Sequence, residues 1–257
     1  MPSVQANGAT IAYTQRGDGP PLVLMHGAEA DHAMFDALGA ALSQRFTVIA
    51  YDQRDCGGSD TPAPSYGIAD LADDAAALIA ALGFSRAHVF GTSFGGIVAQ
   101  LLADRHPDRI DHLVLASTWQ AGRSPLDVNP RAVHTLIALR ADPAVNAPAI
   151  AAYFFPQDYL AAHPEAIDLF RRGAPGDPRR SRRQAVTLQA ARADLAGFQR
   201  PVLLLAGAED RLIPSAATFA LQQHIVHART LALPGVAHAG ALHAPDRIAD
   251  AVMAFLP

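Results

Sequence analysis

The 257-residue chain contains no lysine, a single cysteine and a single tryptophan. Without lysine the Gly-x-x-x-x-Gly-Lys phosphate loop cannot exist, which removes P-loop nucleotide chemistry. Cys56 alone allows neither an intrachain disulfide framework nor a cysteine-rich metal site. Charge is also sparse. Charged residues are 17% of the chain, and a net charge of −4 with a pI near 6.2 leaves no basic face for nucleic acid. No segment approaches the ~18 apolar residues of a membrane helix. Met1–Tyr13 lacks the basic start and apolar run of a secretion signal. The chain is therefore expected to be soluble and cytoplasmic. His-Glu-x-x-His is absent, and His238 and His243 are five positions apart, not the four that align two ligands on a helix. Neither a metal nor an organic cofactor is expected.

What is present is apolar bulk. Half the residues are hydrophobic, enough for a sizeable buried core. Short continuous apolar runs recur at Leu22–Met25, Phe46–Tyr51, His88–Thr92, Leu113–Ala116, Pro201–Ala206 and Ala228–Leu233, with an earlier strand at Thr10–Gln15. Between them, apolar residues at helical spacing predict helices over Asp31–Leu42, Leu71–Leu82, Phe94–Arg105, Pro214–Ile225 and Ala241–Leu256. This alternation predicts an α/β protein with a mostly parallel sheet covered on both faces. Residues 119–198 break the rhythm. Prolines recur there between short helical pieces and no buried-strand pattern appears, so the segment reads as a helical insertion over the sheet's C-terminal edge. The core is then 1–118 and 199–257.

One stretch carries chemistry. In Val89-Phe90-Gly91-Thr92-Ser93-Phe94-Gly95-Gly96 a strand runs through Gly-x-Ser-x-Gly into a helix. Such a turn holds a serine in strained backbone with its hydroxyl clear of the sheet, and a Cβ at either flanking glycine would strike neighbouring backbone. Ser93 is the candidate nucleophile. A serine hydroxyl needs a base, and the base needs an orienting group. Asp210, after the strand ending at Ala206, is the candidate acid, with Glu209 its rival. His238, after the last strand, is the candidate base, with His243 its rival. Two backbone N–H groups are expected to face the substrate oxyanion: that of Phe94, at a helix N-terminus, and that of Ala28.

Taken in order, four signals resemble the α/β-hydrolase superfamily, and within it the small esterase, enol-lactonase and C–C hydrolase branch. They are His26-Gly27, the Asp52-to-Ser59 loop, Gly91-to-Gly96, and the Gly207–Asp210 and Ala237-His238 loops. The resemblance implies an eight-stranded-type sheet, with residues 119–198 as a lid whose inner face meets the substrate. It implies a serine hydrolase that cleaves a small-molecule ester or lactone through an acyl-enzyme. Trp119, Tyr153, Phe154 and Tyr159 are then candidates for the pocket lining. The arginine-rich stretch Arg171, Arg172, Arg179, Arg180, Arg182 and Arg183 suits either a substrate carboxylate or a lid-closing contact. Relatives that are epoxide hydrolases or dehalogenases carry aspartate where Ser93 stands. A C–C hydrolase or perhydrolase would keep the same triad, and a receptor of this fold would keep it without turnover. Two positions depart from the family pattern. Asp55 replaces a glycine in the Arg-Gly-x-Gly-x-Ser loop, where it is expected to hydrogen-bond its own loop. His243 stands where relatives often carry an acid.

Overall fold

Runs such as Leu22–Met25 and Val202–Leu205 present apolar side chains on both sides of an extended backbone, so they need cover on both faces. The computed structural model describes residues 1–60, 65–171 and 178–257, and these runs form the middle of its eight-stranded sheet. The strands are β1 (Ser3–Ala6), β2 (Ala9–Arg16), β3 (Pro21–Met25), β4 (Thr47–Tyr51), β5 (Ala87–Thr92), β6 (Ile110–Ala116), β7 (Val202–Gly207) and β8 (Arg229–Leu233). Their spatial order is β1-β2-β4-β3-β5-β6-β7-β8. β1 and β2 are antiparallel, as are β2 and β4; every pair from β4 to β8 is parallel. The alternation of strands and helices predicted this architecture. It did not predict β1, which is short and half-exposed with no apolar run. The signal for β1 was the Asn7-Gly8 turn, whose φ values of 48° and 75° suit a tight hairpin.

Side-chain alternation along the strands splits the core into two layers. Val23, Met25, Val89, Leu113 and Leu204 face one side, packed with α2 (Ile68–Ala81) and α3 (Phe94–Arg105). Leu22, Leu24, Phe90, Val114 and Leu203 face the other, against α1 (Asp36–Leu42) and the C-terminal helix. Phe90 meets Phe35 edge to face at 6.1 Å.

Between β6 and β7 run α4 (Pro125–Val128), α5 (Pro130–Leu139), α6 (Pro143–Ala151), α7 (Gln157–Ala162) and α8 (Pro178–Thr187). Many of the prolines that punctuate this stretch start helices. Pro125, Pro130 and Pro143 occupy first turns, where the missing N–H leaves no bond unmade. The ends of the segment belong to the main core, since Trp119, Ala121, Val186, Leu195 and Phe198 pack in the same cluster as Phe94. Its middle has a small core of its own around Ala151, Phe155 and Ala166, which also takes in Ala239. After β7 come α9 (Ser215–Phe219), α10 (Gly240–His243) and α11 (Pro245–Phe255). The predicted helix Ala241–Leu256 is thus two helices, because Pro245 cannot continue α10 and instead begins α11. Among the described residues, no helix is long and apolar enough to cross a membrane.

Candidate active site

Ser93 sits between β5 and α3 with φ 54° and ψ −122°, a conformation L-residues rarely adopt. Its surroundings hold it there. The Ser93 N–H donates to Ala116 O at 3.0 Å, and the Ser93 carbonyl accepts from Thr118 Oγ1 at 2.7 Å. A Cβ at Gly91 would lie 2.5 Å from the Gly95 carbonyl oxygen. One at Gly95 would lie 2.6 Å from the His26 carbonyl oxygen and closer still to that of Met25. Both glycines of Gly-x-Ser-x-Gly are therefore required by close approach of backbone, not by a positive φ.

Ser93, His238 and Asp210 form a hydrogen-bonded line across 145 residues of sequence separation. Ser93 Oγ is 3.0 Å from His238 Nε2, and His238 Nδ1 is 2.8 Å from Asp210 Oδ2. An ionised carboxylate only accepts, so Nδ1 carries the proton and Nε2 presents its lone pair to the serine hydroxyl. The other Asp210 oxygen accepts from the N–H groups of Leu212 and Ile213 at 2.9 and 2.8 Å, which fixes the carboxylate. Asp210 and His238 are buried, while Ser93 stays partly open. Glu209 points outward and is exposed. His243 does something else. Its Nε2 accepts from Ala237 N–H at 3.1 Å and so braces the loop that carries His238. Burial holds His243 below the ordinary histidine pKa, which keeps that acceptor unprotonated.

The loop after β3 lies directly over the serine. The ideal Cβ position at Gly27 is 3.7 Å from Ser93 Cβ. Among the described residues no acceptor takes the N–H of Ala28 or of Phe94. His26 and Gln53, which the sequence did not single out, shape this loop. Gln53 N–H donates to His26 Nε2 at 3.0 Å, Gln53 Nε2 donates to His26 O at 2.8 Å, and His26 Nδ1 lies 2.7 Å from Gly27 O. That pattern needs a neutral imidazole protonated on Nδ1. Complete burial, aided by the Arg183 charge, lowers the His26 pKa to about 3.

The expected pocket aromatics have separate settings. Phe154 packs edge-on against His238, with ring centroids 5.5 Å apart, and its carbonyl accepts from Ala239 N–H. Trp119 is buried in the main core, and its indole N–H donates to Arg123 O. Tyr153 lies under the Arg211 guanidinium, while Tyr159 stacks on Phe155 and neighbours His163 and His243.

The arginine stretch resolves into distinct contacts. Arg171 pairs with Asp168 at the surface, and Arg172 lies outside the described residues. Arg179 donates to the carbonyls of Cys56, Gly57 and Ser59. Arg182 forms a two-point pair with Asp55 at 3.1 and 2.9 Å. Arg180 and Arg140 both reach Glu29. Asp55 has φ 63°, so aspartate does take the backbone geometry of the family glycine. Besides its hydrogen bond with Tyr66 of the same loop, the Asp55 carboxylate ties that loop to α8. The sequence could not show this, because Asp55 and Arg182 are 127 residues apart.

Asp31, His32 and Asp52 bring ligand atoms within 4.8 Å of one another. Their hydrogen bonds are local, however. Asp52 accepts from His32 N–H, His32 Nδ1 and Gly58 N–H, and Asp31 caps Ala33. The cluster reads as a loop brace.

A family model for the alpha/beta hydrolase fold matches residues 20–245. A Caulobacter sp. (strain K31) protein named for carbamate hydrolase activity, RutD, is 33% identical over 224 residues, 84% of this chain and 82% of that protein. The enol-lactonase from Burkholderia xenovorans LB400 is 29% identical with a TM-score of 0.82, covering 99% of both chains. A meta-cleavage product hydrolase from Pseudomonas fluorescens IP01 reaches a TM-score of 0.82 over 99% of this chain and 97% of its own at 22% identity, a likeness of fold. With the matched region spanning the sheet from β3 to β8 and the loops that bear Ser93, Asp210 and His238, the chain belongs to the α/β-hydrolase family.

Proposed function

We propose that this protein is a serine hydrolase that cleaves a carboxylic ester or lactone through an acyl-enzyme. The observation that carries the reading is the His238 imidazole, 3.0 Å from Ser93 Oγ through one nitrogen and 2.8 Å from Asp210 through the other. In this scheme His238 takes the Ser93 proton as Oγ attacks the carbonyl carbon. Asp210 keeps the ring oriented and stabilises the imidazolium that forms. The oxyanion is received by the N–H groups of Ala28 and Phe94, the latter also at the positive end of α3. Such donors contribute about 3–4 kcal/mol each to the transition state. His238 then gives its proton to the leaving alkoxide, and a water activated by the same ring releases the acid. We assign residues 119–198 as the lid, with Phe154 the ring that covers His238.

Replacing Ser93 with Ala should lower kcat/KM on a p-nitrophenyl ester by about a thousandfold or more while the protein stays folded. Wild-type turnover in purified Ser93→Ala would sink the assignment. A second reading follows from the relative named for carbamate hydrolysis. A carbamate carbonyl would meet the same nucleophile and oxyanion donors. Matched ester, lactone and carbamate substrates separate the two.

A further inference from the structure

Arg183 differs from the other arginines of α8. Arg179, Arg180 and Arg182 each have a carboxylate oxygen within 4.0 Å, whereas no carboxylate among the described residues pairs with Arg183. It is also the most buried of them, at 3% exposure. One edge of its guanidinium is satisfied: Nε donates to Ala28 O at 3.0 Å and Nη2 to Gln53 Oε1 at 2.8 Å. Among the described residues, buried Nη1 has no acceptor. The guanidinium carbon lies 4.7 Å from the centroid of the Phe94 ring. The cation is thus held between Ala28 and Phe94, the two residues whose N–H groups face the scissile carbonyl in the scheme above.

A second unsatisfied group lies in the same field. Tyr51 Oη is buried without a partner among the described residues, and the Arg183 charge acts on it. The carboxylates of this region are engaged elsewhere: Asp52 with His32 and Gly58, Asp55 with Arg182, and Asp74 with Arg54 and Asn7. A buried cation with an open donor and no counter-ion is costly to the free protein, and an anion arriving beside it removes that cost.

We propose that Arg183 binds a free carboxylate of the substrate, so that the preferred ester or lactone carries a carboxylate close to the carbonyl that Ser93 attacks. This rests on the ester or lactone reading above. It goes beyond that reading by naming the substrate class and the residue that selects it. The satisfied Nε/Nη2 edge fixes the guanidinium plane, and Nη1 supplies the charge-assisted hydrogen bond. The role belongs to Arg183 rather than to the stretch as a whole, whose other described α8 members hold the helix to the core loops.

The test compares p-nitrophenyl hydrogen glutarate with p-nitrophenyl valerate, esters of similar length with and without the terminal charge. Wild type should favour the charged ester in kcat/KM by about 10- to 100-fold. Arg183→Met should abolish that preference, mainly through KM, so that the charged ester loses about 10- to 100-fold more than the neutral one. Arg183→Lys should restore part of it. Equal rates on the two esters in wild type, or an equal loss on both in Arg183→Met, would overturn the proposal. A binding arm is independent of turnover. In the Ser93→Ala protein, monomethyl glutarate should bind by calorimetry and dimethyl glutarate should not, with binding lost in Ser93→Ala/Arg183→Met. No binding of the monoester, as expected if Nη1 merely holds a buried water, also overturns it. If Arg183→Met fails to fold, the wild-type ester preference and the Arg183→Lys protein decide. Monoester binding without hydrolysis of either ester would support the Arg183 site and remove the esterase reading.

Discussion

Asp55 holds Arg182 through both carboxylate oxygens, at 3.1 and 2.9 Å, across the boundary between the β4–α2 loop and α8. The two partners are not equivalent. The Asp55 side chain is fully buried, while that of Arg182 is 36% exposed.

That asymmetry sets an order of costs. Arg182→Ala leaves a buried carboxylate short of its main partner and should destabilise the protein by about 2–4 kcal/mol. Asp55→Gly removes the buried charge, keeps the positive φ natural, and lets Arg182 turn to water, so about 1 kcal/mol is expected. Urea unfolding of the two variants checks the order. Limited proteolysis near residues 178–187 should be faster in both.

The carboxylate beside His238 is separable from its neighbour in sequence. Asp210→Asn can still accept from Leu212 and Ile213 but no longer enforces the Nδ1-protonated ring, so ester hydrolysis should fall by the order of 10⁴-fold. Glu209 is exposed, and Glu209→Gln should stay within about twofold of wild type. Steady-state kcat on one ester distinguishes them.

Gly95→Ala pushes a methyl group into the carbonyls of Met25 and His26, in strand and loop backbone that cannot swing aside. Overpacking of this kind costs about 1–3 kcal/mol, and more where only backbone can move. The variant should unfold earlier and lose hydrolysis together. Gly197→Ala is the control, since nothing lies within 4 Å of its Cβ position. Denaturation midpoints measure both.

Stability should fall as acidity rises below pH 6.5. His26, His88, His112 and His243 all have folded pKa values lowered, in each case chiefly by burial, and His26 is lowered to about 3. In the unfolded chain each titrates near 6.5, so below that pH the unfolded state binds more protons and gains on the native state. Above about pH 7.5 these groups are neutral in both states and contribute no slope. Carboxylates of ordinary pKa are still ionised between about pH 6.5 and 5. Asp74, raised by burial, takes up its proton first in the native state and so acts in the opposite sense; a decline there reports histidine. Urea midpoints should level off above about pH 7.5 and decline below about pH 7, and His26→Asn should flatten the decline.

Much of the fold and of the candidate site was legible along the chain. Buried strands advertise themselves as short apolar runs, and the Ser93 turn needs glycines at fixed offsets because backbone packs against it on both sides. His238 could be favoured over His243 because it directly follows the last predicted strand, and strand ends converge at one edge of a parallel sheet. Glu209 and Asp210 follow the same strand side by side, and only the fold sets Asp210 against His238. β1 was missed because an edge strand needs no apolar run. His26 and Gln53 were missed because they act through backbone atoms, which leave no residue pattern.

The sequence alone determined the alternation of strands and helices behind the parallel part of the sheet, the Gly-x-Ser-x-Gly turn, and the exclusion of a lysine phosphate loop, an intrachain disulfide framework and a cysteine-rich metal site. These are local, set by hydrophobic periodicity and by sterics within a few residues. Only the tertiary structure decided which arginine is an anchor and which is buried with no carboxylate partner among the described residues, and what Asp55 and His243 hold. Those facts depend on pairs more than 100 residues apart, such as Asp55–Arg182 and Ala28–Arg183, or on the fold of a loop, as in Ala237–His243. The five described arginines of that stretch differ only in what the folded chain brings beside each, and burial turns that difference into chemistry.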